Sequence, residues 1–129
     1  MHFHVITLFP EMVGQVVEHG VVGRAVERRH LALTCHNPRD YAGDVHRTVD
    51  DRPYGGGPGM VMLCQPIFDC FEHVQKQVAL PARALILTPQ GRKFDHKYAA
   101  ELADEQRLIL IAGRYEGFDE RIRQNLGAE

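Results

Sequence analysis

Residues 84 to 92 read Ala84-Leu85-Ile86-Leu87-Thr88-Pro89-Gln90-Gly91-Arg92, and the fold is decided there. Four consecutive apolar residues suit a strand buried on both faces, as in a parallel sheet, and the run passes directly into a turn built from proline and glycine. The pattern returns at Leu108-Ile109-Leu110-Ile111, which leads into Gly113-Arg114-Tyr115-Glu116-Gly117. Between the two, Asp95 is placed to cap a helix carrying Tyr98, Ala99 and Leu102. Alternating strands and helices predict an α/β fold, a mainly parallel sheet with helices on both faces. Open parallel sheets bind ligands beyond the carboxyl ends of their strands, so residues 87 to 92 and 112 to 117 are expected to face one crevice.

Upstream, Gln65-Pro66 opens the clearest helix, with Ile67, Phe71, Val74 and Val78 along one face that packs on the sheet. At the start of the chain, His2 to Leu8 is a short strand-like run ending at Phe9-Pro10, where proline suits the first helical position. The next segment carries Met12, Val13, Val16 and Val17 at helical spacing and stops at Gly20, a good C-terminal cap. A second short helix is expected from Val22 to about His30, then a strand from Leu31 to Cys35 and a turn at Asn37-Pro38-Arg39-Asp40. No internal repeat or low-complexity segment accompanies these elements.

From His46 to Met60 neither a helix nor a strand pattern fits. Four of the chain's 12 glycines and two of its seven prolines fall between Pro53 and Gly59, with Arg47, Asp50, Asp51 and Arg52 just upstream. Glycine exposes backbone groups to a close ligand and proline stiffens the path, whereas flexible linkers favour Ser and Gly without charge or Tyr. The stretch reads as a binding loop.

The composition fits a single domain. With 129 residues, 44% hydrophobic and 25% charged, the chain is an ordinary globular domain, and no apolar run approaches the length that crosses a bilayer. Met-His-Phe-His-Val lacks the basic start of a signal peptide, which makes a cytoplasmic protein the default. Cys35, Cys64 and Cys70 form no Cys-x-x-Cys pair and are expected to be buried thiols. None of the eight histidines has a partner at zinc-ligand spacing, so no metal is assigned. Net charge is −2, and the local basic clusters, Arg24, Arg28, Arg29 and Arg92, Lys93, Lys97, read first as solvated faces. The glycine loops spell neither the triphosphate nor the dinucleotide signature.

The stretches His46 to Met60, Leu87 to Arg92 and Gly113 to Arg121 closely resemble the bacterial tRNA (guanine-N1)-methyltransferase family, TrmD, of the SPOUT class. Leu8-Phe9-Pro10-Glu11-Met12 and Gly23-Arg24-Ala25 match it as well, so the resemblance covers essentially the whole chain. It implies S-adenosylmethionine as methyl donor in a deep trefoil knot, and transfer to N1 of the guanine 3′ to the tRNA anticodon. It also implies a cytoplasmic homodimer with tRNA spanning both subunits. Carried over position by position, Leu87, Thr88, Pro89 and Gln90 cover the adenosine, and Gly113, Tyr115 and Gly117 line the other side. Asp50, Arg52, Gly57, Gly59 and Arg114 meet the RNA, and Glu116 lies at the target guanine and reacting methyl. Asp119 reads instead as a helix cap. Magnesium is implicated by the resemblance, but no ligand set places it.

Guanine N1 carries a proton near neutral pH, so methylation calls for a carboxylate base, and a nearby arginine would offset charge developing on the guanine. In the family the base is an aspartate beyond the position of Glu129, as are a Ser- and Gly-rich cofactor loop and a helical tRNA-gripping domain. The resemblance therefore implies that residues 1 to 129 are an N-terminal, cofactor-binding part of the methyltransferase domain, with its knot incomplete and little turnover of its own. Losing a general base typically costs about a hundredfold to ten-thousandfold. Two other readings compete: a non-catalytic nucleotide-binding or dimerisation module, and a metal-dependent hydrolase built on Asp50 and Asp51. The second is weakened because adjacent residues rarely converge on one ion without further ligands.

Overall fold

The computed structural model describes residues 1–42, 50–51, 61–62, 64–78, 82–113, 117–118 and 129. Four strands form one wholly parallel sheet: β1 (His2–Ile6), β2 (Ala32–His36), β5 (Arg83–Leu87) and β6 (Arg107–Ala112). Their spatial order is β2-β1-β6-β5. Between β1 and β2 run α1 (Pro10–Gly14), a 3-10 turn (Gln15–Glu18) and α2 (Gly20–Glu27). A smaller sheet joins β3 (Asp50–Asp51), β4 (Val61–Met62) and β7 (Gly117–Phe118). The remaining helices are α3 (Cys64–Gln77) and α4 (His96–Leu102).

Alternation along the apolar strands splits the interior into two cores, one on each face of the sheet. On one face, Ile67, Cys70, Phe71 and Val74 of α3 pack against Ile6, Ala84, Ile86, Ile109 and Ile111. On the other, Tyr98 and Leu102 of α4 pack against Leu85 and Leu108, with Phe3 and Leu110 partly buried beside them. Burying one such aliphatic side chain contributes roughly 1.5–3 kcal/mol, which explains why continuous runs rather than alternating ones specify β5 and β6. The Asp95 side chain caps α4, its Oδ1 accepting from the Tyr98 N–H at 2.8 Å. Asn37 starts the turn after β2 in the same way, its Oδ1 accepting from the Arg39 N–H at 3.0 Å ahead of a 3-10 turn at Pro38–Tyr41.

The expected sheet, the helices on both faces and the α3 face are all present. Several local expectations are corrected. The segment after Pro10 is no continuous amphipathic helix: α1 gives way to the 3-10 turn, and Met12 and Val16 are exposed. The expected stop at Gly20 coincides with its positive φ of 66°, but α2 starts there and ends at Glu27, short of His30. At Gly23 an added Cβ would lie 3.1 Å from the Glu18 carbonyl carbon, so the tight packing of the two segments requires glycine. Strand β2 is shifted one residue to Ala32–His36. Asp50 and Asp51 form β3 inside the stretch read as patternless, because two residues paired to a distant strand leave no periodicity. Cys70 is buried, and burial pushes its thiol up to about 12, while Cys35 is only half-buried.

Candidate functional site

Strands β5 and β6 are neighbours in register, Leu87 opposite Ala112, so their carboxyl-terminal loops leave the sheet side by side. The loop after β5 is shaped by its own side chains. Thr88 Oγ1 accepts from the Gln90 N–H at 3.2 Å, and Gly91 reverses the chain at φ 102°, a conformation few other residues adopt. Arg92 then turns back over α4, its guanidinium 3.9 Å from the Tyr98 ring centroid and 2.9 Å from Glu101 Oε2. Arg92 and Arg83 together hold the Glu101 carboxyl below the usual carboxylate range. The Arg83 guanidinium also pairs with Glu129, which raises its already high pKa further.

This loop walls a cavity of about 770 Å³. Leu87, Thr88, Pro89 and Gln90 line it, over a floor that includes Phe3, Leu110 and Tyr98. The volume falls in the range of small-molecule and cofactor sites, and a mostly apolar lining with a few polar groups is their usual character. An adenosine group fits such a site: its flat ring takes apolar walls, and loop backbone supplies hydrogen bonds without a charged side chain.

Gly113 is exposed at the end of β6 and is not part of the cavity lining. Gly117 lies in β7 and Asp50 in β3, and β4 lies between them, Val61 opposite Gly117 and Met62 opposite Asp50. The backbone therefore brings the second glycine loop and the charged loop into one sheet. Arg52, Gly57, Gly59, Arg114, Tyr115, Glu116 and Asp119 lie outside the described residues. Among the described residues, no group of three or more His, Cys, Asp or Glu side chains is placed to hold a metal.

Sequence reasoning missed the cavity floor. Phe3, Leu108 and Leu110 were legible only as strand residues, and Tyr98 only as a helix face. The available signal was parity: in adjacent parallel strands, Leu85, Leu108 and Leu110 fall on the face opposite Ile86, Ile109 and Ile111.

A wholly parallel sheet with helices on both faces and a ligand-sized crevice at the end of β5 defines an open-sheet α/β architecture. It superposes with a TM-score of 0.86 on the crystal structure of tRNA (m1G37) methyltransferase from Aquifex aeolicus, a SPOUT fold, at 34% identity over 96% of this chain and 56% of that one. The model of the tRNA (Guanine-1)-methyltransferase TrmD family matches residues 1–129, and the chain belongs to that family. Similar proteins include the tRNA (guanine-N(1)-)-methyltransferases of Aeromonas hydrophila, 53% identical over 96% of this chain, and Haemophilus influenzae, 52% identical over 96%. The chain spans about half the length of these curated relatives, 50% in both cases.

Proposed function

We propose that the protein acts in methyl transfer from S-adenosylmethionine to N1 of a guanine in tRNA, at position 37, the site in the name of the Aquifex enzyme. The family match along residues 1–129 carries this reading. Residues 1–129 serve as the cofactor-binding part of the methyltransferase domain. In this reading Leu87, Thr88, Pro89 and Gln90 enclose the adenosine in the cavity, and Gly113, Tyr115 and Gly117 approach from the β6 side. When bound, the cofactor supplies an electrophilic sulfonium methyl. The chain's own residues position the acceptor: Asp50, Arg52, Gly57 and Gly59 meet the RNA, and Glu116 holds the target guanine. Arg114 or Arg52 offsets negative charge as the guanine loses its N1 proton. The apolar floor keeps water from competing for the methyl.

A homodimer is part of the proposal, supported by Met12, Val16 and Val21, which are 64%, 60% and 75% exposed on the α1–α2 segment. Exposed apolar clusters of this kind mark association surfaces. A cytoplasmic location follows from a tRNA substrate, and among the described residues no helix is long and apolar enough to cross a membrane. Magnesium is assigned no site.

The test is transfer of labelled methyl from S-adenosylmethionine to tRNA lacking the modification, with tRNA carrying adenosine at the target position as control. Label in the first tRNA alone is expected from a chain of the relatives' full length, with little transfer by residues 1–129 alone; no transfer by the longer chain, or equal transfer to both tRNAs, overturns the reading. Calorimetric titration with S-adenosylmethionine, its demethylated product, ATP and NAD separates this function from general nucleotide binding, since only the first two are expected to bind.

A further inference from the structure

Histidines gather on the face of the sheet that carries α3, away from the cofactor cavity. His2 and His4 point to the same side of β1 as Ile6, and their rings stack at 4.0 Å between centroids, 23° from parallel. His4 is only 5% exposed. Its Nδ1 lies 3.2 Å from Nε2 of His36, the last residue of β2, while its Nε2 has no hydrogen-bond partner among the described residues. His2 is held separately, its Nε2 2.8 Å from Thr34 Oγ1 on β2.

This arrangement has room for one proton between His4 and His36. Protonating His4 puts N–H groups on both of its ring nitrogens, and the one on Nε2 finds no acceptor among the described residues. The surroundings do not help. The groups acting on His4 are His2 on β1, His36 on β2 and Arg107 on β6, all cationic or able to become so. From α3, His73 acts on His36, and the amino terminus acts on His2. The 3-10 turn after β2 contributes Asp40 and Tyr41, where Asp40 acts on Tyr41 and Cys70. Among the described residues, no carboxylate acts on His4. Among the described residues β2 is the outermost strand, with β1 its one neighbour in the sheet, so water reaches the pair most readily by parting β2 from β1.

We propose that the stacked His2, His4 and His36 rings form an acid-sensitive latch on the β2 edge, which protonation of His4 releases while the rest of the sheet stays closed. Burial, followed by repulsion from His2, His36 and Arg107, lowers the His4 imidazole from 6.5 to about 4. The opened form therefore binds the proton more tightly than the closed form. The latch is fully closed above about pH 6.5 and is lost as pH falls toward 4. For these two values, linkage gives about a 30-fold rise in the opening equilibrium between pH 7.5 and pH 5. The turn at Asn37 and the 3-10 turn at Pro38–Tyr41 follow His36 directly and loosen with β2.

Hydrogen exchange of backbone amides in the native protein, corrected for intrinsic rates, tests this at pH 7.5 and pH 5. Amides of Ala32–His36 are expected to lose protection by about 30-fold while those of Arg83–Leu87 keep theirs. Equal loss in both strands means global unfolding and overturns the proposal. In His4→Phe, which keeps a stacking ring but cannot titrate, the pH effect on β2 is expected to fall below about fivefold; an unchanged effect overturns it. Imidazole carbon NMR on the unsubstituted protein gives an answer even if that variant fails to fold. His4 is expected to stay neutral until β2 loses protection, and titration near pH 6.5 with β2 still protected refutes the latch.

Discussion

Ile109 and Leu110 are sequence neighbours on β6, yet they should respond to truncation very differently. Ile109 is fully buried in the core beneath α3. Leu110 is partly buried on the opposite face and lines the 770 Å³ cavity. Replacing either by alanine removes three carbons, worth about 2.4 kcal/mol of transfer free energy at about 0.8 kcal/mol each if the side chain is fully buried. At Ile109, in register between His4 and Ala84, the void left is enclosed within the core beneath α3, and lost packing raises the cost to about 3–4 kcal/mol. At Leu110 the space merges with a cavity already open, and part of the side chain was in water, so the cost is about 1–2 kcal/mol. Urea denaturation followed by far-UV circular dichroism measures both, and the m-value checks that each variant unfolds in one step. Equal costs within about 0.5 kcal/mol, or a larger cost at Leu110, would refute the assignment of the two faces. Cofactor affinity supplies an independent contrast, because Leu110→Ala reshapes the cavity floor and Ile109→Ala does not touch it.

Three further outcomes follow from the same geometry. Asp95→Ala removes the cap on α4 and should cost about 1 kcal/mol in the same denaturation assay, with Asp95→Asn recovering most of it. Leu87→Glu sets a carboxylate in the apolar crevice at a side chain that is 51% exposed, so stability should change by less than about 0.5 kcal/mol. Calorimetry should nevertheless show S-adenosylmethionine binding weakened by about tenfold or more, roughly the cost of placing an unpaired polar group against the ligand. Met12→Glu should shift sedimentation toward monomer at micromolar concentration while leaving the cofactor affinity of each subunit intact; a dimer unaffected by the change would move the association surface away from α1.

The large sheet was legible because its strands and helices declare themselves locally. The apolar runs bury Ala84, Leu85, Ile86, Leu108, Ile109 and Ile111, and Asp95 marks the start of α4 by hydrogen-bond chemistry that needs no tertiary context. The α1 region failed for the opposite reason. Met12, Val13, Val16 and Val17 have helical spacing, but spacing reports only that a face is apolar, not what covers it. Here Met12 and Val16 are turned outward while Val13 and Val17 are half-buried, and the chain tightens into a 3-10 turn at Gln15–Glu18, with Gly23 close to the Glu18 backbone. The histidine stack was equally hidden. His2 and His4 alternate visibly, but their partner His36 reaches them only through the parallel pairing of β1 with β2, in which Ile6 lies opposite His36.

The candidate site divides along the same line between local and non-local information. Thr88, Pro89, Gln90 and Gly91 announce a turn by composition, and the turn is where the cavity wall forms. The charged loop carries no comparable local signal about its neighbour. Its position is set by pairs of residues, Asp50 with Met62 and Val61 with Gly117, that are too short to leave a period in the sequence. These pairings have a mechanical consequence. Asp50–Asp51 pairs antiparallel with Val61–Met62, and Val61–Met62 pairs in turn with Gly117–Phe118, so residues far apart in the sequence are held in one small sheet. The segment proposed to meet RNA and the segment proposed to approach the cofactor from the β6 side thus each contribute a strand to that sheet.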